Sequence, residues 1–237
     1  MESFDNNTQE HFSLDKTLAN QQVYISQVYG WMSIALLITG AVAYLTANNP
    51  MLLQFIFTSS IIFYGIIIAE LLLVVSIGAF VNKISAFTAT VLFVLYAILN
   101  GLTLSLIFMV YTHGSIASTF FITAGTFGAM SIYGYTTKKD LTSMGNLFTM
   151  ALFGLIIATI VNIFMKSEIL YWITTYAGIL IFVGLTAYDT QKIKNINIAA
   201  MQSDEAVKKG AILGALTLYL DFINLFLMLL RLFGKRK

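Results

Sequence analysis

Three carboxylic acids lie in apolar stretches that are long enough to cross a membrane. They are Glu70 in Ile61–Phe80, Asp189 directly after Ile169–Tyr188, and Asp221 in Ala211–Phe233. A charged acid at the centre of a bilayer costs roughly 2.5–3.5 kcal/mol on insertion scales. Such a residue usually faces the protein interior, has a partner, and marks a path for an ion, a proton or a substrate. We therefore expect the function to depend on these three acids.

Asp189 and Asp221 fall on consecutive apolar segments, which can be antiparallel neighbours. Asp189 would approach Asp221 if its helix continued past Lys192. Two carboxyl groups that meet in a low dielectric cannot both ionise cheaply, so they share a proton and sense pH. After deprotonation they would offer hard oxygen ligands for Ca²⁺. In the alternative interpretation each acid is satisfied separately, by Asn100, Asn162, a tyrosine or a lysine, and spacing leaves both interpretations open.

Small and polar residues form one stripe along the last apolar segment, with helical spacings of three and four. The stripe consists of Gly210, Gly214, Thr217, Asp221, Asn224, Met228 and Arg231. The other sides of this segment are rich in Leu, Ile, Phe and Tyr, so the stripe should face the interior of a helical bundle. Thr217, Asn224 and Arg231 therefore join the acids as candidates for an ion path.

The composition indicates a polytopic membrane protein. Of the 237 residues, 58% are hydrophobic and only 10% are charged, whereas a soluble domain carries about 25% charged residues. The absence of cysteine excludes disulfides, thiolate metal sites and thiol nucleophiles. The sequence contains no GxxxxGK[ST], GxGxxG or GxSxG motif. The net charge of +2 does not favour nucleic-acid binding. We expect no enzymatic activity and no cofactor.

About 20 apolar residues are needed to cross a bilayer, and seven segments of the sequence fit. We predict spans at Val28–Leu45, Phe57–Phe80, Ala86–Tyr111, Ser115–Tyr135, Leu147–Met165, Ile169–Tyr188 and Ala211–Phe233. The positive-inside rule then sets the orientation. Connections on the side of the N-terminus hold Lys83, Lys138, Lys139, Lys192, Lys194, Lys208 and Lys209, and the opposite connections hold Lys166. This distribution predicts a cytoplasmic N-terminus.

The two ends of the chain differ from this pattern. Residues 1–22 are polar and acidic, which predicts a disordered cytoplasmic tail before a single membrane domain at 23–237. The basic C-terminus would lie outside after seven crossings, against the rule. A re-entrant last segment would keep the tail inside, and a full crossing is the interpretation that we favour.

Several motifs resemble the Bax inhibitor-1 (transmembrane Bax-inhibitor-motif) family, in its bacterial branch. Phe127–Leu141 (FGAMSIYGYTTKKDL) is similar to the family's fourth-helix exit, Gly184–Ile193 (GLTAYDTQKI) to its sixth helix, and Ala215–Arg231 (ALTLYLDFINLFLMLLR) to its seventh. Gly101–Ser105 (GLTLS) also fits. The resemblance spans nearly the whole chain, with the motifs in the family's order.

The resemblance implies a seven-helix fold in which the seventh helix is wrapped by the other six. It also implies a pH-sensitive calcium leak in the bacterial inner membrane, whose proton-sensing pair corresponds to Asp189 and Asp221. The family's gating acid on the second helix corresponds to Glu70. Some members carry an arginine on that helix that pairs with acids; here Lys83, at the end of the segment, is the nearest cation along the sequence. The expected partners are membrane lipids, Ca²⁺ and H⁺.

The sequence is also compatible with two other functions. Family members regulate other membrane proteins under stress, including a membrane AAA protease in bacteria, and this interaction role is the main alternative. An intramembrane aspartyl protease is a more distant one, because Tyr188-Asp189 and Leu220-Asp221 superficially resemble presenilin-like motifs. The second motif lacks the glycines of those enzymes. The Pro-Ala-Leu segment is also absent, since Pro50 is the only proline.

Overall fold

The chain forms an all-α membrane bundle. The computed structural model describes the backbone of residues 2–198, 201 and 203–237, and the side chains from residue 19 onward within those ranges. The helices in these ranges are α1 (Glu2–Ala47), α2 (Pro50–Thr58), α3 (Ser60–Phe80), α4 (Ala86–Leu104), α5 (Ile107–Val110), α6 (His113–Thr136), α7 (Thr142–Met165), α8 (Glu168–Lys194) and α9 (Asp204–Phe233).

Seven stretches are long and apolar enough to cross a membrane, which confirms the predicted architecture. They are Ala19–Ala47, Ser60–Phe80, Ala86–Val110, His113–Thr136, Thr142–Met165, Glu168–Lys194 and Asp204–Phe233. Several observed helices are longer than the predicted spans because polar residues continue the helix beyond the apolar segment. The extension of α8 by six residues past Tyr188 matters most, since it places Asp189 inside the helix.

Two breaks divide spans that the sequence presents as continuous, and the first, at Ser59 between α2 and α3, falls within the predicted span Phe57–Phe80. Pro50 begins the short helix α2, and the Asn49 side chain accepts hydrogen bonds from the backbone N–H groups of Met51 and Leu52. Proline suits the first position of a helix because the backbone N–H that it lacks would have no acceptor within the helix there. The third span is interrupted at Ser105 and Leu106, between α4 and α5.

The first helix extends through the segment for which the sequence predicts a disordered tail. Its backbone is helical from Glu2, and no proline or glycine precedes Gly30. Helix propagation adds one hydrogen bond for each residue that joins, so a stable span can extend into a polar flank. The side chains of residues 1–18 lie outside the described residues, and the division at residue 22 stays a prediction.

Helix α9 is the centre of the bundle. In its most apolar window, 72% of residues are buried inside the protein, against 6% for α3 and for α7. It packs against α1, α4, α6 and α8, while α3 packs on α4 and α7 packs on α8. Two layers therefore surround α9, and the outer layer is formed by α3 and α7.

The bundle has an N-terminal end and a C-terminal end. The N-terminal end holds Ala19 and the start of α9, and the C-terminal end holds Phe233. Beyond Phe233 the chain forms an antiparallel bridge between Arg236 and Tyr111, which lies between α5 and α6. The backbone N–H of Thr112 donates to Lys235 O at 3.0 Å, and that of Lys237 donates to Val110 O at 2.9 Å. The last helix therefore runs the full length of the bundle.

Candidate functional site

Asp189 and Asp221 form a buried carboxyl pair. Their side chains lie within hydrogen-bonding reach of each other, and they are 8% and 5% exposed. Among the described residues no donor reaches Asp221 Oδ2, which is itself buried. A proton held between the two carboxyl groups would supply the missing donor, because a protonated carboxyl group can donate a hydrogen bond. The arrangement therefore favours a pair that shares one proton.

The position of Asp189 depends on the close contact between α6 and α8. A Cβ atom added to Gly134 of α6 would collide with the carbonyl group of Ala187. Glycine is required here because the two backbones leave no room for a side chain. One residue beyond Asp189, the Thr190 hydroxyl lies 3.1 Å from Tyr29 Oη and 3.4 Å from Ser131 Oγ. These contacts join α8 to both α1 and α6 beside the pair.

Gln191 joins the same part of α8 to the connection between α6 and α7. Its Oε1 accepts from the backbone N–H of Leu141 at 2.8 Å, and its Nε2 donates to Lys139 O at 2.8 Å. The side chain is buried, so both bonds are shielded from competing water. Gln191 was not among the residues that the sequence singled out, although it lies in the quoted sixth-helix motif.

A cavity of about 520 Å³ lies beside the carboxyl pair, between α7, α8 and α9. Asp189 and Asp221 line it from α8 and α9. Its α7 wall is mostly apolar, with Thr149 and Thr159 as the polar members. Lys192, three residues further along α8, is a cation whose charge acts on the Asp189 carboxyl group. Arg231 lines the cavity toward the C-terminal end of α9.

Most of the predicted stripe on α9 faces this cavity. Its members there are Thr217, Asp221, Asn224, Met228 and Arg231. The two glycines of the stripe face helix contacts instead: Gly214 meets Val28 and Ile193, and Gly210 meets Tyr24 and Met201.

The cavity offers oxygen atoms in addition to the carboxyl pair. Asn224 donates through Nδ2 to Leu220 O at 2.8 Å, which leaves its Oδ1 available as an acceptor. The Thr217 hydroxyl donates to Leu213 O at 3.0 Å, so its lone pairs can still accept. Within the described ranges no group of three His, Cys, Asp or Glu residues could hold a metal ion. The pair therefore does not belong to a larger cluster of acidic ligands.

Glu70 lies in a different polar cluster. Its carboxylate accepts from Thr103 Oγ1 at 2.9 Å and from Asn100 Nδ2 at 3.4 Å. The Tyr219 hydroxyl donates to Asn100 Oδ1 at 3.1 Å and lies 2.7 Å from Thr39 Oγ1. This chain of contacts, called the Glu70 cluster below, joins α3, α4, α9 and α1. Asn100, one of the separate partners that the sequence left open for the acids, is observed at Glu70 together with Thr103, which the sequence did not single out.

The predicted site residues thus divide into two groups and one outlier. The carboxyl cavity brings together Asp189, Asp221 and the three candidates Thr217, Asn224 and Arg231. Glu70 is held by α4. Lys83 belongs to neither group, and its Nζ lies 5.7 Å from the centre of the Phe80 ring.

Comparison with known proteins gives a match along almost the whole chain. A family model described as inhibitor of apoptosis-promoting Bax1 matches residues 21–237. The inner membrane protein YbhL of Escherichia coli K12 is 54% identical over 226 residues, which cover 95% of this chain and 97% of the relative. An uncharacterized protein of Borreliella burgdorferi is 47% identical over 229 residues, with 94% and 99% covered. A Streptococcus pyogenes membrane protein, SpyM3_0260, is 35% identical over 215 residues, with 90% and 92% covered.

Proposed function

Because the chain belongs to the Bax inhibitor family and is a multi-pass membrane protein, we propose that it is a pH-sensitive Ca²⁺ leak gated by the Asp189–Asp221 pair. We place it in a bacterial inner membrane, where the name of the Escherichia coli relative places that protein. The lysine-rich connections at the N-terminal end of the bundle support a cytoplasmic N-terminus.

The observation that carries this proposal is the buried carboxyl pair beside a cavity. While the pair shares a proton, its hydrogen bond joins α8 to α9 and the path is closed. When the proton is lost, two adjacent carboxylates repel each other in a low dielectric, and the contact between the two helices loosens. Ca²⁺ flux should therefore rise as the pH rises.

A site with only two carboxylates favours passage of Ca²⁺ over tight binding of the ion. Ca²⁺ takes 6–8 oxygen ligands in stable sites. Beyond the pair, the described lining of the cavity supplies neutral side-chain oxygens, those of Asn224, Thr217, Thr149 and Thr159. An ion that finds only part of its preferred shell is bound weakly, and conduction requires binding weak enough for the ion to leave. Water would complete the coordination during passage.

The test is Ca²⁺ flux into dye-loaded liposomes that contain the purified protein, measured from mildly acidic to mildly alkaline pH. Asp189→Asn and Asp221→Asn should each abolish the pH response, because an amide cannot lose a proton in this range. Asp204→Asn is the matched control, since it removes one acid from the first turn of α9, outside the cavity.

A pH response that survives in both amide variants would overturn the gating assignment. Absence of flux above that of empty liposomes, with protein that keeps its helical content, would overturn the leak itself. The role in binding other membrane proteins would then be the function to test.

A further inference from the structure

A second cavity lies at the C-terminal end of the bundle and differs in character from the carboxyl cavity. It measures about 520 Å³ and lies between the α7–α8 connection and the end of α9. Its charged lining consists of Lys166, Arg231, Arg236 and Glu168, so three cations face one carboxylate. Tyr171 and Trp172 supply the aromatic part of the wall. We call this cavity the basic pocket.

Tyr171 contacts both arginines of the basic pocket, and the Tyr111 side chain also forms a hydrogen bond with Arg236. The Arg231 guanidinium lies 5.7 Å from the centre of the Tyr171 ring, and Arg236 Nη2 donates to Tyr171 Oη at 3.4 Å. The backbone bridge to Tyr111 holds Arg236 at this end of the bundle. In the part of the chain that the structure describes, neither arginine makes an ion pair with a carboxylate. The two guanidinium groups are therefore held in place by aromatic residues, and no carboxylate among the described residues neutralises their charges.

We propose that the basic pocket binds the phosphate group of an anionic phospholipid. Guanidinium groups match phosphate oxygens in charge and in planar hydrogen-bond geometry. A lipid is favoured over a soluble phosphate because the pocket lies where the membrane-spanning helices α7 and α9 end and α8 begins. The headgroups of a bilayer lie at this depth. Tyrosine and tryptophan, here Tyr171 and the partly exposed Trp172, are enriched where a membrane meets water.

The proposal also accounts for the charges that oppose the predicted orientation. Lys166, Arg231 and Arg236 lie at the end where the positive-inside rule expects few cations. Anionic headgroups attract basic residues at a membrane surface, so a bound lipid phosphate would compensate this local excess of positive charge. The binding proposal does not depend on Ca²⁺ conduction.

The test uses Trp172 as a reporter. The chain has two tryptophans, so Trp31→Phe leaves Trp172, in the pocket wall, as the only indole. This variant is reconstituted into phosphatidylcholine vesicles in two series. One series contains rising fractions of brominated phosphatidylglycerol, and the other contains rising fractions of brominated phosphatidylcholine, with the bromine on the acyl chains in both. We expect brominated phosphatidylglycerol to quench Trp172 at lower mole fractions than brominated phosphatidylcholine does. The ratio of the two mole fractions that give half-maximal quenching is called the preference. The preference should fall about fivefold for each cation removed by Arg231→Gln or Arg236→Gln.

The matched control removes equal charge from the same tail outside the pocket. Lys235→Gln with Lys237→Gln should keep the preference, whereas Arg231→Gln with Arg236→Gln should lose it. Equal loss in both double variants, or no loss in the arginine variant, would overturn the proposal. If phosphatidylglycerol quenched Trp172 no better than phosphatidylcholine, while inorganic phosphate at constant ionic strength changed Trp172 fluorescence only with both arginines present, the ligand would be a soluble phosphate and the lipid assignment would be wrong. Lys166→Gln repeats the test at an exposed position if the arginine variant does not fold.

Discussion

The backbone of Gly134 lies directly against the carbonyl group of Ala187, two residues before Asp189. We expect Gly134→Ala to destabilise the protein by about 1–3 kcal/mol, because an added methyl group must push α6 and α8 apart. Thermal unfolding in detergent measures this. Gly125→Ala on the same helix is the control, since no atom lies within 4 Å of the added Cβ. It should be neutral or slightly stabilising. Equal stability of the two variants would contradict the close contact.

The two hydrogen bonds of Gln191 should limit opening of the α6–α7 connection. Gln191→Leu removes both, and it leaves the N–H of Leu141 and the carbonyl of Lys139 without that partner. Loss of a buried hydrogen bond costs about 1–3 kcal/mol, so the amide of Leu141 should exchange with solvent roughly 10- to 100-fold faster. Hydrogen exchange with mass spectrometry measures this. Lys192→Gln is the neighbouring control because its side chain is exposed. Unchanged exchange in Gln191→Leu would show that other contacts hold the connection.

The Tyr219 hydroxyl should stabilise the Glu70 cluster. Tyr219→Phe keeps the buried ring but removes the donor to Asn100 and the contact with Thr39. We expect a loss of about 1–3 kcal/mol in stability. Tyr96→Phe is a suitable comparison because the Tyr96 ring packs edge-on against Tyr219 at 5.7 Å and its hydroxyl is not part of the cluster. A similar loss in both variants would contradict a specific role for the Tyr219 hydroxyl, because that hydroxyl is the one that contacts Asn100 and Thr39.

Asp140 gives the start of α7 a pH dependence of known sign. Hydrogen bonds with the Thr142 side chain and with the Thr142 backbone N–H, the latter at 2.9 Å, lower the pKa of Asp140 below its usual value. The stabilisation is therefore present above the usual pKa of an aspartate and is lost as the pH falls through the lowered pKa. Exchange of the Thr142 amide, corrected for its intrinsic rate, should accelerate in that acidic range. Asp140→Asn should remove this acceleration, because its side-chain oxygen accepts at every pH; a wild-type response in that variant would contradict the assignment.

The sequence predicts the architecture well because apolar length alone determines how many helices cross a membrane. The stripe around Asp221 was also predictable, since helical spacing identifies residues that share a face. The role of Tyr219 was not, because one tyrosine among leucines and phenylalanines gives no sign that its hydroxyl is bonded. The contact between Gln191 and Leu141 joins residues 50 positions apart, and only the tertiary structure brings them together. A proline such as Pro50 predicts a break between helices, but it does not predict that a short helix begins there, as α2 does.

The most buried helix of the bundle follows the other six spans along the chain, so it leaves the ribosome after them. Until α9 enters the membrane, Asn100 lacks the Tyr219 hydroxyl and Asp189 lacks its carboxyl partner. The first six spans can thus meet as an incomplete assembly with unmatched polar groups facing its interior. Insertion of α9 supplies those partners together, and the bridge between Arg236 and Tyr111 can form only after that step. Assembly of this bundle therefore waits for one helix, and before its insertion quality-control proteases would meet an assembly without its centre.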